Sequence, residues 1–436
     1  MNIPSTDQKR IVIVGAGFAG LTLAKNLKNS GYQVVLLDKN NYHTFQPLLY
    51  QVATSGLEPD SITYPIRKVF QHFKDFFFRI AKVEKVDTDN KLIFTHQGDL
   101  SYDYLVMATG ATTNYFGNQR VEQLSMSLKS IKDALDLRSL LLQNLEEALI
   151  AKTAEERQAL MNVVIVGAGP TGVELAGALA ELKMRVLPSD YPDLDFSEMN
   201  ISLVQGADRI LPAMSGEASE KSLKYLCDLG VDVQLNKIVE DYDGHCIITN
   251  EGNLPARTLI WSAGVMGNPI QGAGEANRGG RVEVDQYLRL KGVDDVFSIG
   301  DVAAMVDKDL PRGHPMLASV ACQQGTFLAE NMKRMAEGKE LELYVFKDKG
   351  TMATVGRNKA VADLPKFKTQ GILAWYLWMF VHLFLLVGFR NRLVAFIDWV
   401  YSYITYDTGI RLIIRPFQRK ELPKEKEKSV VEHSNA

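Results

Sequence analysis

The sequence predicts an α/β protein in which two parallel-sheet domains are followed by a C-terminal α-helical module. Two runs of β-branched residues, at 11–14 and 163–166, each lead into a G-x-G-x-x-G motif and then into a helical pattern. Strands that alternate with helices in this way are typical of parallel sheets with both faces covered. Near the C-terminal end, residues 371–389 contain no Asp, Glu, Lys or Arg, which indicates a separate apolar module.

The composition is that of a globular, intracellular protein. A chain of 436 residues has room for about three domains. Its 49 basic and 52 acidic residues leave a net charge of −3, which excludes a strongly basic nucleic-acid binder. Cys227, Cys246 and Cys322 form no C-x-x-C pair, and we expect neither a disulfide framework nor a metal site. Residues 1–9 carry no apolar signal-peptide region, which fits a reducing compartment.

The first domain begins with a dinucleotide-binding fingerprint. Its predicted elements are a strand at 10–15, a helix at 18–30 that Gly31 would cap, and a strand at 33–38. In this motif Gly15 makes the tight turn, Gly17 lets the backbone approach a pyrophosphate, and Gly20 lets helix and strand pack closely. The helix N-terminus offers free N–H groups to the phosphates. Asp38 ends the next strand and could accept hydrogen bonds from both ribose hydroxyls, so this order of elements predicts a dinucleotide site.

The second domain repeats the fingerprint with Gly167, Gly169 and Gly172. Gly15 and Gly167, which begin the two copies, lie far apart in the chain, and this spacing indicates two separate nucleotide-binding units and not a short structural repeat. The following strand, at 201–205, ends in Gln205 where an acid is usual. An amide still bonds a ribose 2′-hydroxyl but repels a 2′-phosphate less than a carboxylate does, so the choice between NADH and NADPH stays open.

Two dinucleotide sites in one chain predict a hydride relay between a flavin and a nicotinamide, because two nicotinamides would gain nothing chemically. Two strand-to-turn exits, at 107–110 and 261–264, carry residues small enough for the backbone to approach a cofactor. A further strand ends in Gly300 and Asp301, where an acid could hold the ribityl or phosphate region of a flavin. Residues 130–160, between the two units, are predicted as helices.

In this arrangement the chain resembles the two-dinucleotide-fold flavoprotein reductases, with Rossmann-like FAD and NAD domains, and within them the type II NADH:quinone oxidoreductases. The resemblance covers about residues 9–415 and is most specific in the stretches 41–62, 167–181, 298–303, 349–364 and 388–407. It implies a single-chain respiratory dehydrogenase. NADH would transfer a hydride to FAD, and the flavin would pass two electrons to a membrane quinone, ubiquinone or menaquinone, without proton pumping.

The resemblance also implies roles for individual residues. FAD would be held without a covalent bond by Gly15, Gly17, Gly20, Asp38, Ala108, Thr109, Gly110, Gly300 and Asp301. NADH would be served by Gly167, Gly169, Gly172 and Glu174, while Gln205 is the cofactor-binding candidate that the strand end itself indicates. The loop from Phe45 to Leu48, which includes Gln46, would run beside the flavin ring.

Three residues are the catalytic candidates that the resemblance implies: Glu174, Gln323 and Gln46. Glu174 would lie beside the nicotinamide and the flavin; the alternative is a first-turn acid that only favours the helix dipole. Gln323 matches the second glutamine of the family's quinone motif, whereas Ser319 replaces the first. Gln323 is therefore the predicted quinone contact.

The C-terminal module is predicted to meet a membrane. Segment 371–389 is long enough to span a bilayer, but a buried core helix or a membrane-surface helix would fit as well. In 391–405 a narrow polar stripe runs along an otherwise apolar helix, made of Asn391, Ala395, Asp398, Ser402 and Thr405. That pattern favours a helix in the membrane interface. We predict a monotopic platform on the cytoplasmic face of the cell inner membrane, with the lipid bilayer and a second copy of the chain as partners.

The predicted domains are an FAD domain at 1–120 and 266–335, an NAD(P)H domain at 121–265, a membrane-anchoring module at 336–415 and a charged tail at 416–436. Two other functions stay open. A sulfide:quinone oxidoreductase shares the fold and the platform but needs paired redox cysteines. A non-enzymatic, membrane-associated flavoprotein sensor would change partner binding when its flavin is reduced.

Overall fold

The computed structural model describes residues 1–308, 310–406 and 409–419, so most of the predicted charged tail lies outside the described residues. The first domain is built on a five-stranded parallel sheet. From one edge to the other its strands are Val296–Ser298, Tyr104–Met107, Arg10–Val14, Gln33–Asp38 and Phe76–Ile80. Because Val296–Ser298 follows the second domain in the chain, the first domain is assembled from two separate stretches.

Seven helices of nine or more residues are found within the described residues. In chain order they are α1 (Phe18–Asn26), α2 (Ile131–Leu149), α3 (Pro170–Arg185), α4 (Gly216–Asp228), α5 (Ala318–Ala336), α6 (Ile372–Leu385) and α7 (Phe389–Thr405). Shorter helices are Leu49–Ala53, Pro59–Ile62, Ile66–Val69, Gln119–Leu124, Ala154–Met161 and Leu187–Asp190, with 3-10 turns at Gln46–Leu48 and Gly300–Val302. In the first domain α1 packs closely against α5, because Gly325 on α5 leaves room for the backbone of Ala19.

The second domain has its own parallel sheet of four strands. In spatial order these are Asp232–Gln234, Ile201–Val204, Val163–Val166 and Thr258–Trp261. The residues of the two middle strands are all buried, which explains their continuous apolar runs. Between the strands Asp232–Gln234 and Thr258–Trp261 the chain forms an antiparallel sheet of Val239–Tyr242, Cys246–Thr249 and Gly252–Pro255.

Small antiparallel or parallel pairs complete the two domains. They are Tyr42–Thr44 with Thr63–Pro65, Ala111–Thr113 with Val265–Gly267, Val282–Val284 with Ala303–Met305, and the three-stranded unit Val83–Asp87, Leu92–Thr95 and Leu100–Ser101. The pair of 111–113 with 265–267 joins the strands that lead into and out of the second domain.

The C-terminal module starts with an antiparallel sheet of Thr351–Gly356, Lys359–Asp363 and Lys368–Gln370 and ends with α6 and α7. Its first strand lies directly on α3. A Cβ atom added at Gly177 of α3 would come within 1.8 Å of the carbonyl oxygen of Val355, so only glycine allows this approach. The module is therefore packed against the second domain through its fingerprint helix.

The structure shifts three predicted boundaries. The first strand ends at Val14 because Gly15 turns with φ +104°. Helix α1 ends at Asn26 and not at residue 30, so Gly31, with φ +81°, turns the chain toward the next strand and caps nothing. The apolar run 371–389 is not one helix, because Gly388 adopts φ +90° between α6 and α7.

No helix among the described residues has both the length and the apolar character needed to cross a membrane.

Candidate functional site

The three glycines of the first fingerprint have three different surroundings. A Cβ atom at Gly15 would lie 2.3 Å from the carbonyl oxygen of Ala108, and one at Gly20 would lie 1.9 Å from that of Gly15. Gly17, at the N-terminus of α1, has no atom within 4 Å of such a Cβ. Gly15 and Gly20 therefore close the turn against the sheet, while Gly17 faces open space beside the free N–H groups of the helix. We call this arrangement the first cradle.

The second fingerprint reproduces this geometry. A Cβ atom at Gly167, where φ is +98°, would lie 2.4 Å from Cα of Ala263, and one at Gly172 would lie 2.0 Å from the carbonyl oxygen of Gly167. Gly169 precedes α3 and again has no atom within 4 Å. This second cradle thus has the same open position at its middle glycine.

The side chains that end the second strand of each sheet also act alike. An oxygen of Asp38 accepts a hydrogen bond of 2.6 Å from the backbone N–H of Ala16, and Gln205 Oε1 accepts one of 3.0 Å from that of Ala168. The other oxygen of Asp38 accepts from the N–H of Asn40. Burial raises the pKa of Asp38, and these backbone donors partly oppose the rise. Each side chain thus holds its own glycine turn while keeping lone pairs for a ribose hydroxyl.

The remaining predicted lining of the first cradle comes from two turns. Thr109 Oγ1 donates to the carbonyl oxygen of Asn268 at 2.6 Å, and Gly110 follows with φ +69°. Gly300, with φ +74°, approaches the side chain of Ala19 on α1. The turns after the strands 104–107 and 296–298 therefore converge on the start of α1.

A buried glutamine that the sequence did not single out holds one of these turns. Gln324 of α5 accepts a 2.7 Å hydrogen bond from the N–H of Gly300 through Oε1, and it is only 1% exposed. The quinone motif pointed to its neighbour Gln323, and no local sequence pattern shows which of the two glutamines is buried. The rotation of α5 against α1 decides which one points inward.

Asp301 lies in a group of charges drawn from distant parts of the chain. Burial raises its pKa, while the positive charges of Lys129 and Arg281 lower it. The buried Arg281 donates to the carbonyl oxygens of Ala303 and Arg312. Asp133 also interacts with Lys129, so the group contains two cations and two carboxylates, and its buried cations could still bind a phosphate-bearing ligand. Lys129 and Arg281 belong to no sequence motif, so they could be found only after folding.

Glu174 is buried and lies at the contact between α3 and the C-terminal module. Its carboxyl accepts a long, 3.4 Å hydrogen bond from the N–H of Thr354. Burial raises its pKa to about 8, and the Thr354 N–H and the Trp378 indole oppose that rise only in part. The indole N–H faces the carboxyl without completing a hydrogen bond of normal geometry. The group is therefore mostly protonated at neutral pH, unlike an acid that merely favours the helix dipole.

Gln323 binds the segment that leads to the C-terminal module. Its amide donates to the carbonyl oxygen of Lys347 and accepts from the N–H of the same residue, both at 3.0 Å. Ala321, in the same turn of α5, lies next to Gly300, which places this part of the helix close to the first cradle. Gln323 thus lies near the first cradle, but in this structure both ends of its amide are occupied by backbone.

The predicted loop beside the first cradle connects it with α6 of the C-terminal module. Gln46 begins the 3-10 turn and is exposed, whereas Phe45 is 2% exposed. The Phe45 ring meets Phe18 of α1 edge to face at 5.8 Å and His382 of α6 at 6.1 Å. A chain of aromatic contacts therefore connects the first cradle with α6.

Helices α6 and α7 turn their apolar faces outward. Ala374 and Trp378 are the buried residues of α6, and Asn391 and Ala395 are those of α7. Asn391 donates to the carbonyl oxygens of Asp60 and Thr63. The outward face, which we call the apolar platform, is made of Ile372, Leu373, Tyr376, Phe380, Phe384, Leu385, Phe389, Leu393, Phe396, Ile397, Val400, Tyr401 and Ile404.

Asn391 and Ala395, the first residues of the polar stripe predicted on 391–405, thus face the protein, and the exposed apolar residues of α7 face away from it. Exposed apolar residues in this number on two consecutive helices mark a binding surface for lipid or for another protein. No group of three or more potential metal ligands occurs within residues 1–308, 310–406 and 409–419.

Comparisons with known proteins cover nearly the whole chain. Residues 9–325 match the family model described as pyridine nucleotide-disulphide oxidoreductase, and residues 349–405 match that of the NDH2 C-terminal domain. The type II NADH:quinone oxidoreductase Ndh of Mycobacterium tuberculosis is 33% identical over 92% of this chain and 89% of its own length. The mitochondrial internal alternative NAD(P)H-ubiquinone oxidoreductase A1 of Arabidopsis thaliana is 30% identical over 91% of this chain and 84% of its own.

Solved structures show the same fold. NDH2 from Plasmodium falciparum in complex with NADH has a TM-score of 0.84 at 23% identity and covers 92% of this chain and 99% of its own. The sulfide:quinone oxidoreductase from Aquifex aeolicus has a TM-score of 0.69 at 19% identity, over 91% of this chain and 95% of its own. These comparisons confirm the predicted fold class and the resemblance drawn from the motifs. The chain belongs to the type II NADH:quinone oxidoreductase family.

Proposed function

We propose that the two cradles divide one reaction between them, with FAD in the first and NADH in the second. As a member of its family the chain is an NADH:quinone oxidoreductase, a flavoprotein that uses NADH. The observation that carries the assignment of sites is the open space at Gly17 and Gly169, where each helix N-terminus is free to approach a pyrophosphate. FAD bound in the first cradle would supply the chemistry for accepting a hydride from NADH and for passing two electrons to a quinone.

In the first cradle, the protein's own charges support a non-covalent FAD. The N-terminus of α1 faces one end of the site, and Asp301 with Lys129 and Arg281 forms a second polar region. Asp38 would bind the ribose through lone pairs that the backbone leaves free. Acid precipitation should release the flavin into the supernatant, whereas colour retained in the pellet would show a covalent bond.

In the second cradle, Glu174 provides an uncharged carboxyl at neutral pH, which would let the nicotinamide and the flavin ring approach without a buried negative charge. Gln205 would bind the adenine-side ribose, and because it carries no charge it would admit NADPH as a slower second substrate.

The quinone would be reduced beside the 45–48 loop and α5. The proximity of Ala321 to Gly300 supports a quinone role for the Gln323 region, and Gln46 is exposed at the same loop. A quinone bound to Gln323 would replace one of the two hydrogen bonds that the amide makes to Lys347. Gln323→Leu should therefore slow reoxidation of the flavin by a short-chain quinone in stopped-flow traces by about tenfold, the effect of one lost hydrogen bond. Reduction by NADH should change less than twofold. Gln119→Leu, which alters an exposed glutamine at the start of the short helix Gln119–Leu124, is the control. Equal slowing of both half-reactions would indicate a packing defect.

The apolar platform would rest on the lipid surface of the cytoplasmic face of the cell inner membrane. Replacing Phe380 and Phe384 together by Glu should remove about 3 kcal/mol of lipid transfer, roughly 10²-fold in vesicle partitioning. Both rings are more than half exposed. Ile150→Glu, at an exposed site on the second domain, should leave flotation unchanged. Binding should also resist high salt, and full release by salt alone would contradict an apolar platform.

One experiment separates this function from its alternatives. The purified protein should show a flavin spectrum that NADH bleaches and that a short-chain quinone restores, with fast NADH oxidation. A flavoprotein sensor would oxidise NADH slowly even with ample quinone. A sulfide:quinone oxidoreductase would be bleached by sulfide and not by NADH; its paired cysteines are not found here, since Cys227, Cys246 and Cys322 are all free. Light scattering in detergent tests the predicted homodimer.

A further inference from the structure

His382 lies on the side of α6 that faces the protein, one turn after the buried Trp378. Its ring stacks on the Trp378 indole, with 4.1 Å between centroids, and meets Phe45 edge to face. Phe380 and Phe384 lie on either side of it in the sequence and belong to the apolar platform. His382 therefore lies where the platform meets the 45–48 loop, whose Phe45 contacts Phe18 of the first cradle's helix.

The tautomer of His382 follows from its hydrogen bond. Nδ1 lies 2.7 Å from the carbonyl oxygen of Trp378, and a carbonyl only accepts, so the hydrogen must be on Nδ1. Burial lowers the pKa of the ring to about 4, which keeps it neutral at physiological pH. Nε2 is then a lone-pair acceptor.

Nε2 forms no hydrogen bond with any residue that the structure describes, although the ring keeps part of its surface accessible. The ring's two aromatic neighbours offer no strong donor toward it. An acceptor without a donor in the protein is satisfied by water or by a ligand that brings a donor of its own.

Quinone and quinol differ in this respect. Reduction adds two electrons and two protons and turns two carbonyl oxygens into two hydroxyls, so that NADH, H⁺ and quinone give NAD⁺ and quinol. A quinone oxygen only accepts and gains nothing from Nε2, whereas a quinol hydroxyl donates. We propose that His382 binds the reduced product, with Nε2 accepting the hydrogen bond of a quinol hydroxyl where α6 meets the 45–48 loop. This assignment rests on the proposed function and adds the residue that distinguishes product from substrate.

Two substitutions of His382 test the Nε2 acceptor independently of the rest of the ring. Asn places its amide N–H near the Nδ1 position and removes the outer acceptor, while Gln places its amide oxygen near the Nε2 position. The measurement is equilibrium binding of a short-chain benzoquinone and of its quinol to the oxidised, FAD-loaded protein, followed anaerobically by flavin fluorescence. His382→Asn should raise the Kd of the quinol about tenfold, which equals about 1.4 kcal/mol, and change that of the quinone less than twofold. His382→Gln should change both less than about threefold.

A His382→Asn variant that weakens both ligands equally, or neither, overturns the assignment. If that variant loses FAD, the unmodified protein with ¹⁵N-labelled histidine gives a second measurement: quinol and not quinone should shift one Nε2 resonance, and the absence of that shift refutes the contact. The two levels of proposal remain distinguishable. If NADH fails to bleach the flavin of the unmodified protein, the proposed function fails, whereas normal bleaching with unchanged quinol binding overturns the role of His382 alone.

Discussion

Replacing Glu174 by Gln should make the protein more stable, and increasingly so as the pH rises. The buried carboxyl has a pKa of about 8, against 4.5 for an ordinary glutamate, so the folded state binds its proton more tightly than the unfolded state does. Between these two values the folded protein carries an extra proton, and its stability therefore falls as the pH rises through that window. Glutamine resembles the protonated acid in shape and has no proton to lose.

The size of the effect follows from the two pKa values. Near the middle of the window the folded and unfolded states differ by almost one proton, which corresponds to about 1.36 kcal/mol per pH unit. Between pH 5 and pH 8 the difference in unfolding free energy between the variant and the parent protein should grow by about 3.5 kcal/mol. With an unfolding entropy of about 2.1 cal/mol/K per residue, this corresponds to about 4 °C in Tm for a chain of 436 residues.

The assay is thermal unfolding of the FAD-loaded protein, without NADH, at intervals from pH 5 to pH 8.5. Other buried acids such as Glu181, whose pKa burial also raises, contribute equally to both proteins and cancel in the difference. Glu220→Gln, which changes an exposed glutamate on α4, should give a difference in Tm that does not vary with pH. A constant difference in Tm for Glu174→Gln would show that the carboxyl titrates normally and is solvated in the folded protein.

Two further predictions concern the second domain. Gly177→Ala would place a Cβ atom 1.8 Å from the carbonyl oxygen of Val355, so it should lower the free energy of unfolding by about 1–3 kcal/mol and speed proteolysis within the C-terminal module. Gly216→Ala, where a Cβ atom would have nothing within 4 Å, is the control. An equal loss of stability in both variants would refute the close contact. Gln205→Glu should lower kcat/KM for NADPH about tenfold, because a carboxylate repels the 2′-phosphate, and should leave kcat/KM for NADH within threefold. A parent protein whose kcat/KM already favours NADH by more than about 10⁴, roughly 5.4 kcal/mol, would contradict the role of Gln205.

The fold class, the family and the two cradles could be predicted from the sequence because they depend on short-range rules. A glycine that must adopt positive φ, or that a neighbouring carbonyl approaches, is recognisable within a six-residue motif, and Gly15 and Gly167 both meet that requirement. The alternation of strand and helix identified the parallel sheets in the same way. Periodicity also separated the two faces of α7, since Asn391 and Ala395 are buried while the apolar residues around them are exposed.

The tertiary structure alone decided the state of the groups that carry charge or hydrogen bonds. Glu174 is buried where α3 meets a strand that lies 180 residues further along the chain, and this burial raises its pKa, while Asp301 receives its charged neighbours from positions 129 and 281. Whether Gln323 or Gln324 of α5 points toward Gly300 depends on how that helix is rotated against α1. The break at Gly388, where the ring of Tyr64 leaves no space for a side chain, likewise comes from a distant contact. Desolvation and close packing are set by whichever atoms surround a group after folding, and those atoms come from parts of the chain that no local pattern can connect.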